Sequence, residues 1–336
     1  MQRWLAYVLT FALAAGLSAW LTPRVREAAV RFGIVDRPDG KLKTQSEPVP
    51  YLGGIAICLA FLLALALNFA LPFDRRVLGL LLAGSIVVIL GLIDDLGGLR
   101  PWTKLLGQVV AVLVLVKAGM TIQLVVLSPL VAVPLSVVWL LATTNAFNLI
   151  DIMDGLSSGT AMIAALALLV VADLDGNVSS ATVLAAVAGA CLGFLRYNFQ
   201  PARIYMGDTG SMFLGLLLGA LSMDNAYTQR NPVAALAPAM ILGVPLFDML
   251  FVMYVRWRRG LPVMLGSPDH VALRLRRWRL STRQTVLLSY GVTAVLGAAA
   301  VGMTRLPSAG ALCVVGSLAA AALVSAVLLR RIDMGL

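Results

Sequence analysis

Charge is scarce in this sequence. Only 12% of its 336 residues are Asp, Glu, Lys or Arg, and the polar gaps between apolar runs stay under about 30 residues, so no soluble domain has room to fold between them. Cysteine is scarce too. Cys58, Cys191 and Cys313 all lie inside apolar runs without local partner spacing, which argues against a disulfide or cysteine metal site and leaves them as small buried hydrophobes. No internal repeat is evident. Apolar residues, by contrast, make up 60% of the chain, and its mean hydropathy is +0.93. Recurrent apolar runs of about 20 residues predict an all-α polytopic membrane protein, one integral membrane domain over residues 1–336. The net charge of +10 would suggest a nucleic-acid partner in a soluble chain. Here its distribution points to the positive-inside rule, and no nucleic-acid partner is expected.

About eleven transmembrane helices are expected from the apolar runs, over residues 4–21, 52–71, 77–93, 102–118, 122–143, 160–171, 181–195, 212–223, 233–255, 285–303 and 310–329. The first run is long, lacks an Ala-x-Ala end and is followed by Arg24, Arg26 and Arg31, so it reads as an uncleaved anchor with its N-terminus outside. Alternation from there puts most of the 26 Lys and Arg on one side, which is then cytoplasmic, with the C-terminus. The same alternation collects loops 22–51, 94–101, 144–159, 196–211 and 256–283 on that side. The polar chemistry therefore gathers at one interface, with Asp248 the main charge inside a span.

Adjacent carboxylates, Asp94 and Asp95, stand at the end of the third run, before Gly97-Gly98. An ionised Asp within hydrocarbon costs roughly 2.5–3.5 kcal/mol even on insertion scales, so two together are seldom there for packing. Successive helical residues point about 100° apart, so one can face a cation while the other holds a supporting donor. A pair of solvated helix-end acids is the plainer alternative. A second polar knot holds Asn148, Asp151 and Asp154, spaced by three and hence on one face if the segment is helical. Such a rack suits a sugar, a nucleobase edge or a cation. The third, residues 196–211, ends in Gly207-Asp208-Thr209-Gly210-Ser211 after Tyr205. A carboxylate bracketed by glycine before a helix, with free backbone N–H groups, suits Mg²⁺ on a diphosphate, and Tyr205 is placed to stack on a base. In the first loop, Gly53-Gly54 lets backbone come close to a helix or ligand, and Lys41 and Lys43 could meet a phosphate or an anionic lipid.

These motifs, together with Pro245-Leu246-Phe247-Asp248, come in the order and spacing of a known family. From Asp36 to about Arg274 the chain resembles the polyprenyl-phosphate N-acetylhexosamine-1-phosphate transferases. The resemblance implies a Mg²⁺-dependent enzyme, with Mn²⁺ as substitute cation, in the bacterial inner membrane with its active site on the cytoplasmic face. It would move a phospho-N-acetyl-sugar from a UDP-N-acetyl-sugar to undecaprenyl phosphate and release UMP. By that likeness Asp208 would ligate the metal, and Asp94 and Asp95 would serve the lipid phosphate and metal. Asn148, Asp151 and Asp154 would line the nucleotide pocket, Tyr205 would stack on the uracil, and Asn198 and Lys104 match polar site positions; Lys43 and Gly207 are counted with them as substrate-binding candidates. Family members that use UDP-MurNAc-pentapeptide carry a histidine cluster in the last cytoplasmic loop. Here that loop holds His270, the one histidine of the chain, and Thr44-Gln45 stands where the first loop usually has another. This departure points away from peptidoglycan and towards other surface glycans such as O-antigen.

Read without the family, His270 is either an ordinary surface histidine or, with Asp269 and Arg274, part of a diphosphate-binding loop. The basic run over 256–283 also serves topology. A reading from another class is an ion-coupled transporter of an anionic or lipid-linked solute. The last spans, rich in Gly and Ala, could pack against a second copy, giving a homodimer.

Overall fold

The computed structural model describes residues 2–36, 48–68, 71–124, 127–262, 267–332 and 334. The helices are α1 (Gln2–Arg31), α2 (Gly53–Ala66), α3 (Arg75–Gly97), α4 (Pro101–Lys117), α5 (Pro129–Ile150), α6 (Leu156–Leu174) and α7 (Val178–Asn198). They continue with α8 (Gly207–Met223), α9 (Ala237–Ile241), α10 (Gly243–Arg258), α11 (Val271–Arg277), α12 (Thr282–Met303) and α13 (Ser308–Arg330). The expectation of an all-α chain needs one small amendment. β1 (Val35–Asp36) pairs antiparallel with β2 (Val49–Pro50), Val35 opposite Pro50.

Among the described residues seven helices, α1, α3, α5, α6, α7, α12 and α13, are long and apolar enough to cross a membrane, and α9 with α10 makes an eighth if the bent pair is one span. The protein is thus a multi-pass membrane protein. Each expected span falls on a helix or on that pair, but α2, α4 and α8 are shorter, at 14, 17 and 17 residues. Outward-facing Leu5, Leu9, Leu82, Ile89, Leu113 and Val138 are all exposed, as lipid-facing positions are. The centre is α8, whose residues from Thr209 to Met223 are all buried, packed against α3, α5 and α2.

The largest departures from the sequence-based expectation are in three spans. The first helix runs ten residues past 21, through Pro23. Proline removes one backbone donor, and the flanking carbonyls are served by side chains, Ser18 by Thr22 Oγ1 at 2.6 Å and Trp20 by Arg24 at 2.5 Å. Helix α5 starts at Pro129 rather than 122 and ends at Ile150, which takes Asn145 and Asn148 into the helix. The expected span 233–255 is broken: α9 and α10 meet at 78°. Pro245 explains the break, because its ring clashes with the carbonyl four residues back, that of Ile241, where α9 stops.

Close backbone contact holds the buried helix in place. A Cβ on Gly54 would lie 2.2 Å from Gly210 N, and one on Gly91 would lie 2.5 Å from Thr209 Cα. The first turn of α8 is thus gripped between α2 and α3, the approach expected of Gly53-Gly54, with a helix as partner. Gly54→Ala is expected to lower the unfolding midpoint of the detergent-solubilised protein by the equivalent of about 1–3 kcal/mol or more, the cost of overpacking against a backbone that cannot yield. Gly97→Ala, whose Cβ would meet nothing within 4 Å, should leave the midpoint unchanged, and equal midpoints for both variants would contradict the grip.

Candidate functional site

The three polar knots converge at one end of the bundle. The C-terminal turn of α3, the N-terminal turn of α4, the C-terminal turn of α5 and the N-terminus of α8 meet there through side chains. Asp95 is the tie. Its Oδ1 accepts from Asp208 N at 2.8 Å, and its Oδ2 accepts from Thr209 N at 3.1 Å and from Thr209 Oγ1 at 2.6 Å. The first turn of a helix offers unpaired N–H groups and a positive dipole end, and Asp95 takes up both. Gly207 makes room for it: the backbone there has φ +75, and a Cβ would sit 2.7 Å from Asp95 Oδ2. Asp95 therefore holds the first turn of α8 in place, where the resemblance implied contact with the lipid phosphate and metal.

Fixing that turn aims Asp208 at a hub around Lys104. The Lys104 ammonium contacts Asp208 Oδ2, and it lies 3.0 Å from Asp94 Oδ2 and 2.9 Å from Asn148 Oδ1. Asn148 Nδ2 in turn donates to Asp208 Oδ1 at 2.8 Å and to Ser211 Oγ at 3.0 Å. Asp94 and Asp208 come from helices 114 residues apart in sequence order yet face one another. One turn earlier on α5, Asn145 exchanges hydrogen bonds with Gln108 of α4, which sets the register of the two helices.

The second knot closes the other side. Helix α5 stops at Ile150, with Asp151 as its cap and a turn after it, so Asn148, Asp151 and Asp154 do not share the helix face that their spacing predicts; Asp151 accepts from Gly207 N–H. Burial, reinforced by the Asp208, Asp95 and Asp154 charges, pushes its carboxyl well above the usual carboxylate range. Asp154 Oδ2 accepts from Ala202 N at 2.9 Å, and burial raises it too. Tyr205 is half-buried, its ring 6.1 Å from that of Tyr51, with its hydroxyl pushed up to about 12 by burial and the nearby Asp154 and Asp36 charges. Pro50 O accepts from Tyr205 N at 2.9 Å, and Tyr205 O accepts from Gly53 N at 2.9 Å, so Tyr205 is backed by the β2 strand.

Two residues placed in the site from sequence are tied elsewhere. Asn198 is buried; its Oδ1 accepts from Gly155 N at 3.1 Å and Ser158 Oγ at 3.0 Å, and its Nδ2 donates to Ile204 O at 3.0 Å. It staples the second knot to the third. Arg274 is fully buried, pairs with Asp269, and donates to the carbonyls of Leu329 at 3.1 Å and Ile332 at 2.8 Å. It caps the end of α13 rather than facing a cleft. His270 is no surface histidine either: it is buried, with Nδ1 2.6 Å from Asp248 Oδ2. Helix α11 that follows packs Ala272 on Ile150, Met153 and Leu156 around the second knot. Lys43 lies outside the described residues.

Sequence reasoning gave no role of their own to Gly91, Thr209, Ser211, Gln108 and Tyr51. Gly91 stands one turn before Asp94 on the same helical face, which was the available signal. An apolar cleft of about 1430 Å³ opens between α10, α12 and α13, lined by Phe247, Val292 and Leu318 and reaching Ile150 and Leu156 beside the acidic knot.

Residues 77–226 match the family described as Glycosyl transferase family 4. The chain is 32% identical over 297 residues to a probable undecaprenyl-phosphate N-acetylglucosaminyl 1-phosphate transferase of Bacillus subtilis, covering 86% of this chain and 82% of that protein. It is 34% identical over 313 residues to a decaprenyl-phosphate N-acetylglucosaminephosphotransferase of Mycolicibacterium smegmatis, covering 82% and 77%. A phospho-N-acetylmuramoyl-pentapeptide-transferase of Desulforamulus reducens is 30% identical over 326 residues, covering 88% and 95%.

The two adjacent acids should separate by experiment. Asp95→Asn replaces one acceptor oxygen with an NH₂ that faces backbone donors, so the metal-free protein should lose stability by about 1–3 kcal/mol, the cost of leaving buried groups unsatisfied. The same substitution at Asp94 should cost less, because its oxygens meet Leu99 N just beyond its own helix and the flexible Lys104 ammonium, with no donor from the first turn of α8. Thermal unfolding of both variants in detergent with EDTA checks this, and a larger loss at position 94 would reverse the assignment.

Proposed function

The chain belongs to Glycosyl transferase family 4, and from that membership and the acidic hub we propose that it transfers a phospho-N-acetyl-sugar from a UDP-N-acetylhexosamine to undecaprenyl phosphate. The products are UMP and the lipid-diphosphate sugar that starts a surface glycan. The observation that carries the reading is the meeting of Asp94, Asp208 and Asn148 oxygens around one cationic centre at the polar end of a membrane bundle. A lipid phosphate and a soluble nucleotide can both reach such a place.

The residues present fit Mg²⁺. Among the described residues no three His, Cys, Asp or Glu side chains are grouped to hold a metal ion, but Mg²⁺ keeps several waters and takes one or two carboxylates together with substrate phosphates. Asp94 and Asp208 would hold it, and it would neutralise charge on the diphosphate. The chain's own side chains then position the reactants. Tyr205 offers a face to the uracil, Asp154 and Asp151 an edge of acceptors to the nucleoside, and Lys104 a donor to a phosphate. The apolar cleft that begins at Ile150 and Leu156 suits the isoprenoid chain of the acceptor. An oxygen of the lipid phosphate attacks the sugar-bearing phosphorus in line, one P–O bond forms, and the P–O bond to UMP breaks.

No carboxylate is needed as a base. A phosphomonoester with a second pKa near 6 is about nine-tenths ionised at pH 7 before it meets the protein. Asp94 is therefore a positioning and metal-side group. The basic loops that share this end support a cytoplasmic sidedness. A transporter would put its polar groups near the midplane, whereas these sit at helix ends.

Purified protein given undecaprenyl phosphate, Mg²⁺ and radiolabelled UDP-GlcNAc should release UMP, and a panel of UDP-N-acetyl-sugars should identify the donor. No UMP from any donor would reject the reading. Asp94→Asn should lose at least about 100-fold in turnover, the scale of a misplaced positioning group, equally at pH 7 and pH 8.5. Full recovery at pH 8.5 would restore a role as base.

A further inference from the structure

Lysine at position 104 has no donor to spare. An ammonium carries three N–H donors and no acceptor, and the Lys104 ammonium has three partners: the Asp94 carboxylate at 3.0 Å, the Asn148 amide oxygen at 2.9 Å and the Asp208 carboxylate. Its side chain is only 16% exposed, and Asp94 only 12%. Each of the three oxygens belongs to a different helix, α3, α5 or α8, and all point at one nitrogen. That is the arrangement of a cation site whose resident cation is covalently attached to α4. Without it the Asp94 and Asp208 carboxylates, 12% and 31% exposed, would face each other as like charges in a partly desolvated cleft.

We propose that Lys104 is a built-in placeholder for the divalent cation. In the substrate-free protein its ammonium neutralises Asp94 and Asp208, and the incoming metal takes those two carboxylates and frees the ammonium. The inference rests on the reading of Asp94 and Asp208 as the cation site. The long, flexible lysine stem allows the shift without movement of α4, and the freed ammonium becomes a donor for a phosphate oxygen of the substrate. As the protein stands, Lys104 cannot bind a phosphate without surrendering one of its three partners. Metal entry and phosphate binding are therefore coupled through a single side chain, and by linkage the coupling runs both ways. The resting site is held closed to adventitious cations, and its affinity for metal rises when a phosphate is present to receive the ammonium.

The test is Mn²⁺ binding to the full chain in detergent without substrate, followed by the loss of the free Mn²⁺ resonance signal. Lys104→Gln should bind Mn²⁺ about 5- to 150-fold more tightly than the parent, the usual range of a coupling between two ligands, while Lys104→Arg, which keeps the charge, should stay near the parent. In EDTA the Gln variant should unfold at a lower temperature than the parent and regain more on Mn²⁺ addition. A measurement on the unaltered protein stands beside these: reductive methylation read by mass spectrometry should label Lys104 faster when Mn²⁺ is present. Equal or weaker Mn²⁺ binding by the Gln variant, or Lys104 labelling that is unchanged or slowed by Mn²⁺, overturns the placeholder and leaves Asp94 and Asp208 as metal groups. Absence of Mn²⁺ binding by both proteins overturns that reading as well.

Discussion

The carboxylate of Asp95 and the first turn of α8 are each other's remedy. An acid at the C-terminal end of α3 faces the negative end of its own helix dipole, and the first N–H groups of α8 would otherwise be unpaired in a buried setting. Both problems are costly in low dielectric, by several kcal/mol for a charge without partners. Joining them removes both at once, with Asp208 N, Thr209 N and Thr209 Oγ1 all donating to one carboxylate. Gly54 and Gly91 are the positions where the backbones must come close enough for this to happen, and Gly207 leaves room for the carboxylate itself. The direction in which Asp208 points, and so the whole hub, follows from that junction.

A division of labour between neighbouring residues recurs around it. Of Asp94 and Asp95, about 100° apart on α3, one faces Lys104 and the other the backbone of α8. Of Asn145 and Asn148, one fixes α5 against Gln108 of α4 and the other joins the hub. Asp151 and Asp154 each accept from a backbone N–H of the third knot, from Gly207 and Ala202. In each case fixed protein partners hold carboxylates or amides in place beside the hub. A crowd of carboxylates can then coexist at one helix end because most of them are answered by fixed donors, leaving Asp94 and Asp208 to share a cation.

Much of this was legible because charge is so rare in an apolar chain. Acidic motifs at span ends stand out when ionised groups are expensive in hydrocarbon, and Asp94, Asp95, Asn148, Asp151, Asp154 and Asp208 do converge. What could not be read was which oxygens meet substrate and which meet protein. Asn198 and Arg274 look like ligand-binding residues in sequence, yet their partners are the backbone groups of Gly155, Ile204, Leu329 and Ile332, and such partners exist only in the tertiary fold. Lys104 sits among basic residues that topology alone explains, so its place at the centre of the hub had no local signature. The break in the 233–255 run was there to be seen in Pro238 and Pro245, because proline interrupts a helix whatever its hydropathy.

The C-terminal part of the chain bears on the site indirectly. Helix α13 has only Ala311 and Leu329 buried, so its packing contributes little to the core, yet its last carbonyls receive Arg274 from α11. Arg274 in turn holds Asp269, which also meets Arg259 at 3.2 Å. Asp248 ties the start of the same short helix through His270 and Val271 N at 2.7 Å. A seven-residue helix is far too short to be stable alone, and here both ends are anchored, one to α10 and one to α13. Its apolar face then rests on Ile150, Met153 and Leu156, the residues that frame Asp151 and Asp154. The polar centre around His270 thus supports the acidic knot from behind, and the final helix, loosely packed along most of its length, matters to the site through its last turn.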